Sequence, residues 1–251
     1  MKLKERIHLA GAFSVVGIAL VAMGIESFND VSKRILLVKI IAVFVVAVLA
    51  VQVLLKVGFS RLRKRMELLK GFSMEQGFEF EENPSSLEEY DIVKGAAISG
   101  GGTPEGEGFS GNLIIGKRGD YNFRAIDYCY WRGREPESQT VICIEKNFGN
   151  GVSYSIVTED LYYRYGDEDK VAIKISPQFD LPGYVLVVED DSLDVSIVPN
   201  KIFFKLLDFQ DIGVDILRGR LLIYRRKKLL QSAEYLAWID AAISLVELIK
   251  Y

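Results

Sequence analysis

A polar and aromatic stretch inside an apolar part of the chain is the first candidate for a binding surface. Asp127, Tyr128, Tyr130, Trp131 and Arg132 lie in a segment whose alternation predicts a β-strand. Aromatic side chains beside an arginine are typical of surfaces that contact a ligand or a partner. Packing inside a hairpin is the competing interpretation. Asp127 could itself be a buried, hydrogen-bonded carboxylate, or the acid or base of a hydrolase.

A run of cations near the end of the chain is the second candidate. Its members stand out because residues 66–251 carry a net charge of −11, whereas residues 1–65 carry +8. Such a run could rest on anionic lipid headgroups or hold an anionic ligand, and a solvated turn is the alternative. The six cations are Arg218, Arg220, Arg225, Arg226, Lys227 and Lys228.

Two glycine patterns resemble phosphate-binding motifs without their structural context. Residues 106–111 read GxGxxG within a glycine-rich segment, 99–111, but a strand rather than a helix follows them. Residues 111–117 read GxxxxGK, although the interior is strand-like and Arg118 replaces the hydroxyl residue that binds Mg²⁺. A kinase would need a catalytic-loop histidine, and the single histidine is His8. The sequence therefore predicts no cofactor.

The two cysteines and the acidic clusters give no metal or thiol chemistry. Cys129 and Cys143 fall on neighbouring predicted strands, where small buried apolar residues are expected. Two thiols and one distant histidine are too few for structural zinc. The carboxylate runs lack the spacing of a calcium-binding loop and are expected to be solvated. We therefore predict no metal site.

The elements around these residues form an α+β pattern. Residues 61–76 predict a helix that Gly77 would cap, and several strands with turn signals follow from residue 112 onward. A short helix over 199–209 and an amphipathic helix over 232–250 flank the last strands. Long-range pairing of such strands predicts a mostly antiparallel sheet with helices at its ends.

Several segments together resemble a family of uncharacterised bacterial membrane-anchored proteins. The segments are residues 71–80, NLIIGKRGDYNFRAIDYCYW, QTVICIE, PQFDLPGYVLVVED and GRLLIYRRKKL. The resemblance covers roughly residues 66–251, and the chain departs from the family pattern at residues 191–199. It implies two N-terminal transmembrane helices and a cytoplasmic α+β domain, and it assigns no catalytic residue.

The longest apolar run of the chain predicts a transmembrane helix. Ile35 to Phe59 would form a helix about 37 Å long, enough to cross a ~30 Å hydrocarbon core. Lys39 and Lys56 could extend their side chains to the headgroups. A basic stop follows the run, formed by Arg61, Arg63, Lys64 and Arg65.

A second apolar run, residues 9–25, predicts a first span, although a cleaved signal peptide ending near residue 24 is the alternative. The placement of Lys and Arg puts both termini in the cytoplasm of a multi-pass inner-membrane protein. The predicted organisation is a transmembrane hairpin over 1–60, with spans at about 9–25 and 35–59. A juxtamembrane helix over 61–77 and a cytoplasmic α+β domain over 78–251 follow.

The function that these features favour is a non-enzymatic anchored module that binds a protein partner or assembles with itself. The expected partners are the lipid bilayer and a membrane protein or a second copy of the chain. An acidic domain is repelled by nucleic acid, which makes nucleic-acid binding unlikely. Two alternatives remain open: a membrane effector gated by a small anionic, nucleotide-like ligand, and a hydrolase of unknown substrate that uses Asp127.

Overall fold

The structure, a computed structural model, forms two compact units, Met1–Arg65 and Met66–Tyr251. It describes residues 31–82, 84, 92–93, 108–132, 135–146, 148, 153–159, 171–175, 181, 183–188, 198–206, 208, 212–217, 219–225 and 227–249. Within the second unit the described strands form one nine-stranded antiparallel sheet that helices cover.

Helix α1 covers Val31–Gln76 and is the longest element of the described chain. Apolar residues fill its first half, where Ala and Leu of high helix propensity alternate with many Val and Ile of lower propensity, and no proline interrupts it. The helix ends where Gly77 adopts a left-handed conformation, at φ 71°. The amide of Phe78 donates to the carbonyl of Ser73 at 2.8 Å, and that of Gly77 to Met74 at 3.3 Å. These two bonds satisfy carbonyls that the helix end would leave open.

The transmembrane prediction for this helix is wrong. Within the part of the chain that the structure describes, no helix is long and apolar enough to cross a membrane. The stretch without a charged residue, Ile40 to Leu55, is only about 24 Å long at ~1.5 Å per residue, against a ~30 Å hydrocarbon core. The predicted transmembrane hairpin and the multi-pass inner-membrane localisation are therefore wrong. The predicted first span, residues 9–25, lies outside the described residues.

Nine strands and two further helices make up the second unit. The sheet order is β1-β2-β3-β4-β9-β8-β5-β7-β6, and all neighbours are antiparallel. The strands are β1 (Glu79–Glu81), β2 (Gly108–Arg118), β3 (Tyr121–Arg132), β4 (Glu135–Glu145), β5 (Tyr154–Thr158), β6 (Val171–Lys174), β7 (Tyr184–Val188), β8 (Ile212–Leu217) and β9 (Arg220–Arg225). Helix α2 covers Asn200–Leu206, and a 3₁₀ turn at Ser232–Glu234 leads into helix α3, Tyr235–Ile249.

The two faces of this sheet carry separate apolar cores. The first face, defined here by Phe123, Ile142 and Ile223, packs with buried residues of α2 and α3. The second face, defined by Ile126, Val141 and Leu222, packs with Ile92 and Val93. Consecutive strand residues point to opposite faces, so neighbours in the sequence belong to different cores.

Close packing on each face requires a glycine beneath an aromatic ring. On the first face, a Cβ placed on Gly116 would lie 2.6 Å from the ring of Phe78 and 2.8 Å from that of Phe123. On the second face, a Cβ on Gly213 would overlap the ring of Tyr224, which lies opposite it on β9. Glycine is thus needed at both positions because the ring occupies the space of a side chain.

Candidate functional site

A bulge in β2 creates the most polar point of the described sheet. The β2–β3 register shifts between Gly111 and Leu113, so Asn112 is an extra residue with φ 57°. Asparagine tolerates this left-handed conformation better than most residues. The extra residue lets the Asn112 amide Nδ2 donate to Oδ2 of Asp127 on β3 at 3.0 Å.

The Asp127 carboxylate also gathers donors from β4 and α3. Its Oδ1 accepts a hydrogen bond from the hydroxyl of Thr140 at 2.9 Å and one from the hydroxyl of Tyr235 at 3.3 Å. The Thr140 oxygen in turn accepts from the backbone amide of Leu230 at 3.0 Å. Asp127 is 8% exposed. One buried carboxylate therefore links β2, β3, β4, the segment before α3, and α3 itself.

Hydrogen bonds to both oxygens of Asp127 hold this carboxylate in a fixed position. Three donors satisfy most of its acceptor capacity, which is the arrangement expected of a structural carboxylate. A general base needs a free oxygen facing a substrate. We call this set, Asp127 with Asn112, Thr140 and Tyr235, the carboxylate hub.

Tyr128, the neighbour of Asp127 in the predicted aromatic surface, lies on the opposite face of the sheet. It follows Asp127 on β3 and packs, half buried, against the second-face core, opposite Gln139. The backbone of Tyr130, Trp131 and Arg132 continues β3 and pairs with β4 as far as Glu135. Their side chains lie outside the described residues. The structure thus divides Asp127 and Tyr128 between the two faces.

The predicted cation cluster is spread along a strand. Arg220 and Arg225 are the two ends of β9, which places them about 17 Å apart at ~3.4 Å per residue. Arg218 and Arg226 lie outside the described residues. The strand therefore separates Arg220 from the cations that follow its other end, Arg225, Lys227 and Lys228.

The two lysines at the far end of β9 are each paired with a carboxylate of the same unit. Lys227 Nζ lies 3.0 Å from an oxygen of Glu137, a side chain only 5% exposed. Lys228 Nζ donates to Glu234 at 2.6 Å. Lys227 adopts φ 54° to make its contact. These pairs join β4 and the start of α3 to the turn after β9.

The pKa of Glu234 is lowered, chiefly by the hydrogen bond from Lys228 and next by one from the backbone amide of Gln231, at 2.7 Å. Glu234 ends the short turn before α3, and its carboxylate satisfies an amide that the helix start would leave open. Near neutral pH this carboxylate therefore holds the turn and the helix start together.

The second face carries a buried amide of a different kind. Gln139 is fully buried, and neither its Nε2 nor its Oε1 has a hydrogen-bond partner. Asp215 and Ser155 lie on the same face, directly opposite each other on β8 and β5, and are also buried. A buried amide without a hydrogen bond lowers stability by about 1–3 kcal/mol per group.

The thiols and acidic groups offer no reactive centre in the part of the chain that is described. Cys129 and Cys143 are free and buried, and burial raises the pKa of Cys143 to about 11. The neutral thiol is a poor nucleophile. No group of three His, Cys, Asp or Glu side chains among the described residues could hold a metal ion.

The phosphate-loop patterns take the form of strands. Residues 111–117 belong to β2, and Val171–Lys174 is β6 at one edge of the sheet. Lys174 Nζ lies 3.9 Å from Glu159. Most of the glycine-rich segment 99–111 lies outside the described residues. Backbone amides committed to sheet pairing cannot form a loop around a phosphate.

The first unit presents the most unusual surface in the described chain, on α1. Eight large apolar side chains between residues 38 and 53 are each more than half exposed. Their positions in the sequence follow no single helical spacing, so their side chains lie on all sides of the helix. They are Val38, Ile40, Val43, Phe44, Val46, Leu49, Val51 and Val53.

Sequence reasoning selected Asp127 but missed the residues that bind it. Asn112, Thr140 and Tyr235 are far apart in the sequence, and only the sheet register brings them together. A signal was present in the QTV segment, where Gln139 and Thr140 directly precede the apolar residues 141–144 of the same strand. Adjacent polar residues inside a buried strand indicate a hydrogen-bonding partner on at least one face.

The fold is shared with a known protein, although no related sequence was found. The chain matches no protein family model, and no curated protein matches it. The structure is similar to the crystal structure of the mycobacterial trehalose monomycolate transport factor A, TtfA, with a TM-score of 0.54. The two share 12% sequence identity over 75% of this chain and 93% of that chain. The resemblance to a family of anchored proteins therefore stays a prediction, and the similarity extends to the fold alone.

Proposed function

We propose that this chain is a non-enzymatic module that works through protein contacts, with a partner or with further copies of itself. The observation that carries the proposal is the apolar exposed surface of α1 between Val38 and Val53. Water-exposed helices place polar residues on at least one side, and a helix that is apolar all round is normally enclosed. An exposed apolar area of this kind marks an interaction site.

The polar contacts within the second unit also support this proposal. The hydrogen bonds of Asp127 and the ion pairs of Lys227 and Lys228 connect elements of the same unit. A scaffold with these internal links is suited to present surfaces to a partner. A protein of similar fold is named a transport factor, a name that is compatible with this proposal.

Photo-crosslinking in the native host tests the proposal. A photoreactive amino acid at Val46, at the centre of the exposed apolar segment, should form a discrete protein adduct, either a chain dimer or a complex of larger fixed mass. The matched control position is Asp120, in the exposed turn between β2 and β3. Adducts with lipid alone at Val46, or no adduct there, would reject the proposal.

Charge substitution gives a second readout of the same contact. Val46→Lys should remove the adduct, because an ammonium group in an apolar contact loses its hydration. Gln52→Lys adds the same charge at an exposed polar position of the same helix and should leave the adduct in place. Loss of the adduct in both variants would indicate a general effect of charge instead of a specific apolar contact.

A hydrolase based on Asp127 is the enzymatic alternative. Its activity would need a carboxylate that is free to exchange protons, whereas Asp127 is held by Asn112, Thr140 and Tyr235. Asp127→Asn in the purified chain distinguishes the two. Any hydrolytic activity that this substitution removes, with the variant still folded, would favour the enzyme.

A further inference from the structure

The charges that flank the apolar segment of α1 identify the kind of partner that fits it. From Val31 to Met66 the sequence contains eight Lys and Arg residues and no Asp or Glu. Among the described side chains, Lys39 is exposed at the N-terminal edge of the apolar segment, directly after Val38, and three cations are exposed beyond its C-terminal edge: Arg61, Arg63 and Lys64. The surface is thus an apolar cylinder with a basic end on either side.

Self-association of α1 places like charges together. In a parallel pair each basic end meets the same basic end, and in an antiparallel pair the two basic ends exchange places with the same result. No acidic residue within the range 31–66 is present to compensate. Like charges in contact disfavour an interface even when its apolar part fits.

We propose, building on the protein-contact function above, that α1 docks with a different protein whose apolar helices end in acidic residues. Such a partner covers Val38–Val53 with apolar side chains and sets Asp or Glu against Lys39 at one end and Arg61 and Arg63 at the other. Charge complementarity fixes the register along the helix, because an apolar cylinder alone permits sliding. Because exposed apolar residues occur on all sides of α1, more than one partner helix is needed to enclose it.

Two synthetic peptides with the same apolar helical core test the charge rule. One carries three Glu residues at each end and the other three Lys residues, and each is titrated against the full chain in a mild non-ionic detergent. Because the cores are identical, the detergent affects both equally. We expect roughly tenfold tighter binding of the Glu-flanked peptide, the effect of a few exposed ion pairs. The preference should shrink as salt is raised from about 50 mM to about 500 mM.

A variant of the full chain that lacks three cations tests which residues cause the preference for the Glu-flanked peptide. Changing Arg61, Arg63 and Lys64 to Gln should reduce the difference between the two peptides to the part that Lys39 contributes, while apolar binding remains. Lys70→Gln, at another exposed position of α1, is the matched control and should preserve the difference. An undiminished preference after the triple change would overturn the assignment of these cations.

The contrary results of these experiments bear differently on this inference and on the proposed function. Equal binding of both peptides would overturn the acidic partner and leave an apolar protein contact. Formation of a chain oligomer that excludes both peptides would also overturn it, with self-assembly as the function. Preference for anionic vesicles over the Glu-flanked peptide in competition would overturn it in favour of lipid. Absence of peptide binding and of oligomers together would contradict both proposals.

Discussion

Two adjacent residues of β4, Gln139 and Thr140, are buried polar side chains, and only that of Thr140 has hydrogen-bond partners. Thr140 points to the first face, where its hydroxyl donates to Asp127 and accepts from Leu230. Gln139 points to the second face, where its amide has no hydrogen-bond partner. Both faces are closely packed over a glycine, Gly116 on the first and Gly213 on the second, and the first face adds the hydrogen bonds of the carboxylate hub.

The two faces should therefore tolerate different substitutions. A hydrogen-bonded hub responds to the loss of any single member, because the remaining buried groups lose their partners. A position held by packing alone responds to changes of volume and can gain from the removal of a polar group.

The largest effect should come from removing the centre of the hub. Asp127→Ala leaves the donors of Asn112, Thr140 and Tyr235 without their acceptor, and we expect the free energy of unfolding to fall by about 3–5 kcal/mol. Chemical denaturation of the full chain measures it. Asp120→Ala, in an exposed turn, is the control and should change stability by less than about 0.5 kcal/mol. A loss below about 1 kcal/mol at Asp127 would show that the first face does not depend on the hub.

Overpacking of the second face should have the next largest effect. Gly213→Ala forces a methyl group into the ring of Tyr224 and should reduce stability by about 1–3 kcal/mol. Gly71→Ala is the opposite case, since a Cβ there meets no atom within 4 Å. In a helix this second change should stabilise the chain by about 0.5–1 kcal/mol. A neutral Gly213→Ala would mean that this face is loosely packed.

The neighbouring residues of β4 provide the most direct comparison. Thr140→Val keeps the side-chain shape but removes the links to Asp127 and Leu230, so stability should fall by about 1–2 kcal/mol. Gln139→Met keeps a similar length and removes two polar atoms without partners, so stability should stay the same or rise. Equal losses for both variants, measured by denaturation under one set of conditions, would contradict the contrast between the faces.

The strands could be predicted from the sequence, whereas their partners could not. Alternating apolar residues and the turn around Gly119 place β2 and β3 within a few residues of their observed bounds. The order of the strands, with β9 inserted beside β4, depends on long-range pairing that local patterns do not encode. For the same reason Asp127 could be recognised as unusual, but its contact with Tyr235, 108 positions away, could not.

Composition alone was misleading at α1. The apolar length of the helix predicts a membrane span, although a lysine limits the uncharged stretch at each end. For the cation run, composition does not show the spacing, since β9 places Arg220 and Arg225 at opposite ends of one strand.

The smallest predicted effect concerns pH and the turn before α3. The pKa of Glu234 lies below its ordinary value of 4.5, because the carboxylate accepts hydrogen bonds from Lys228 and Gln231 in the folded chain. Its contribution to stability is therefore fully present above pH 4.5 and is lost as the pH falls through the lowered pKa. The pair is partly exposed, so the contribution should be only a few tenths of a kcal/mol.

Glu234→Gln should flatten the acid limb of the stability curve by this amount, measured by denaturation between about pH 3 and pH 7. Glu247→Gln, at an exposed position of α3, should leave the curve unchanged. The Lys228–Glu234 pair joins the start of α3 to the turn after β9, and the carboxylate hub also contacts α3. A loss of stability at low pH larger than a few tenths of a kcal/mol would therefore mean that the hub and this pair stabilise the start of α3 cooperatively.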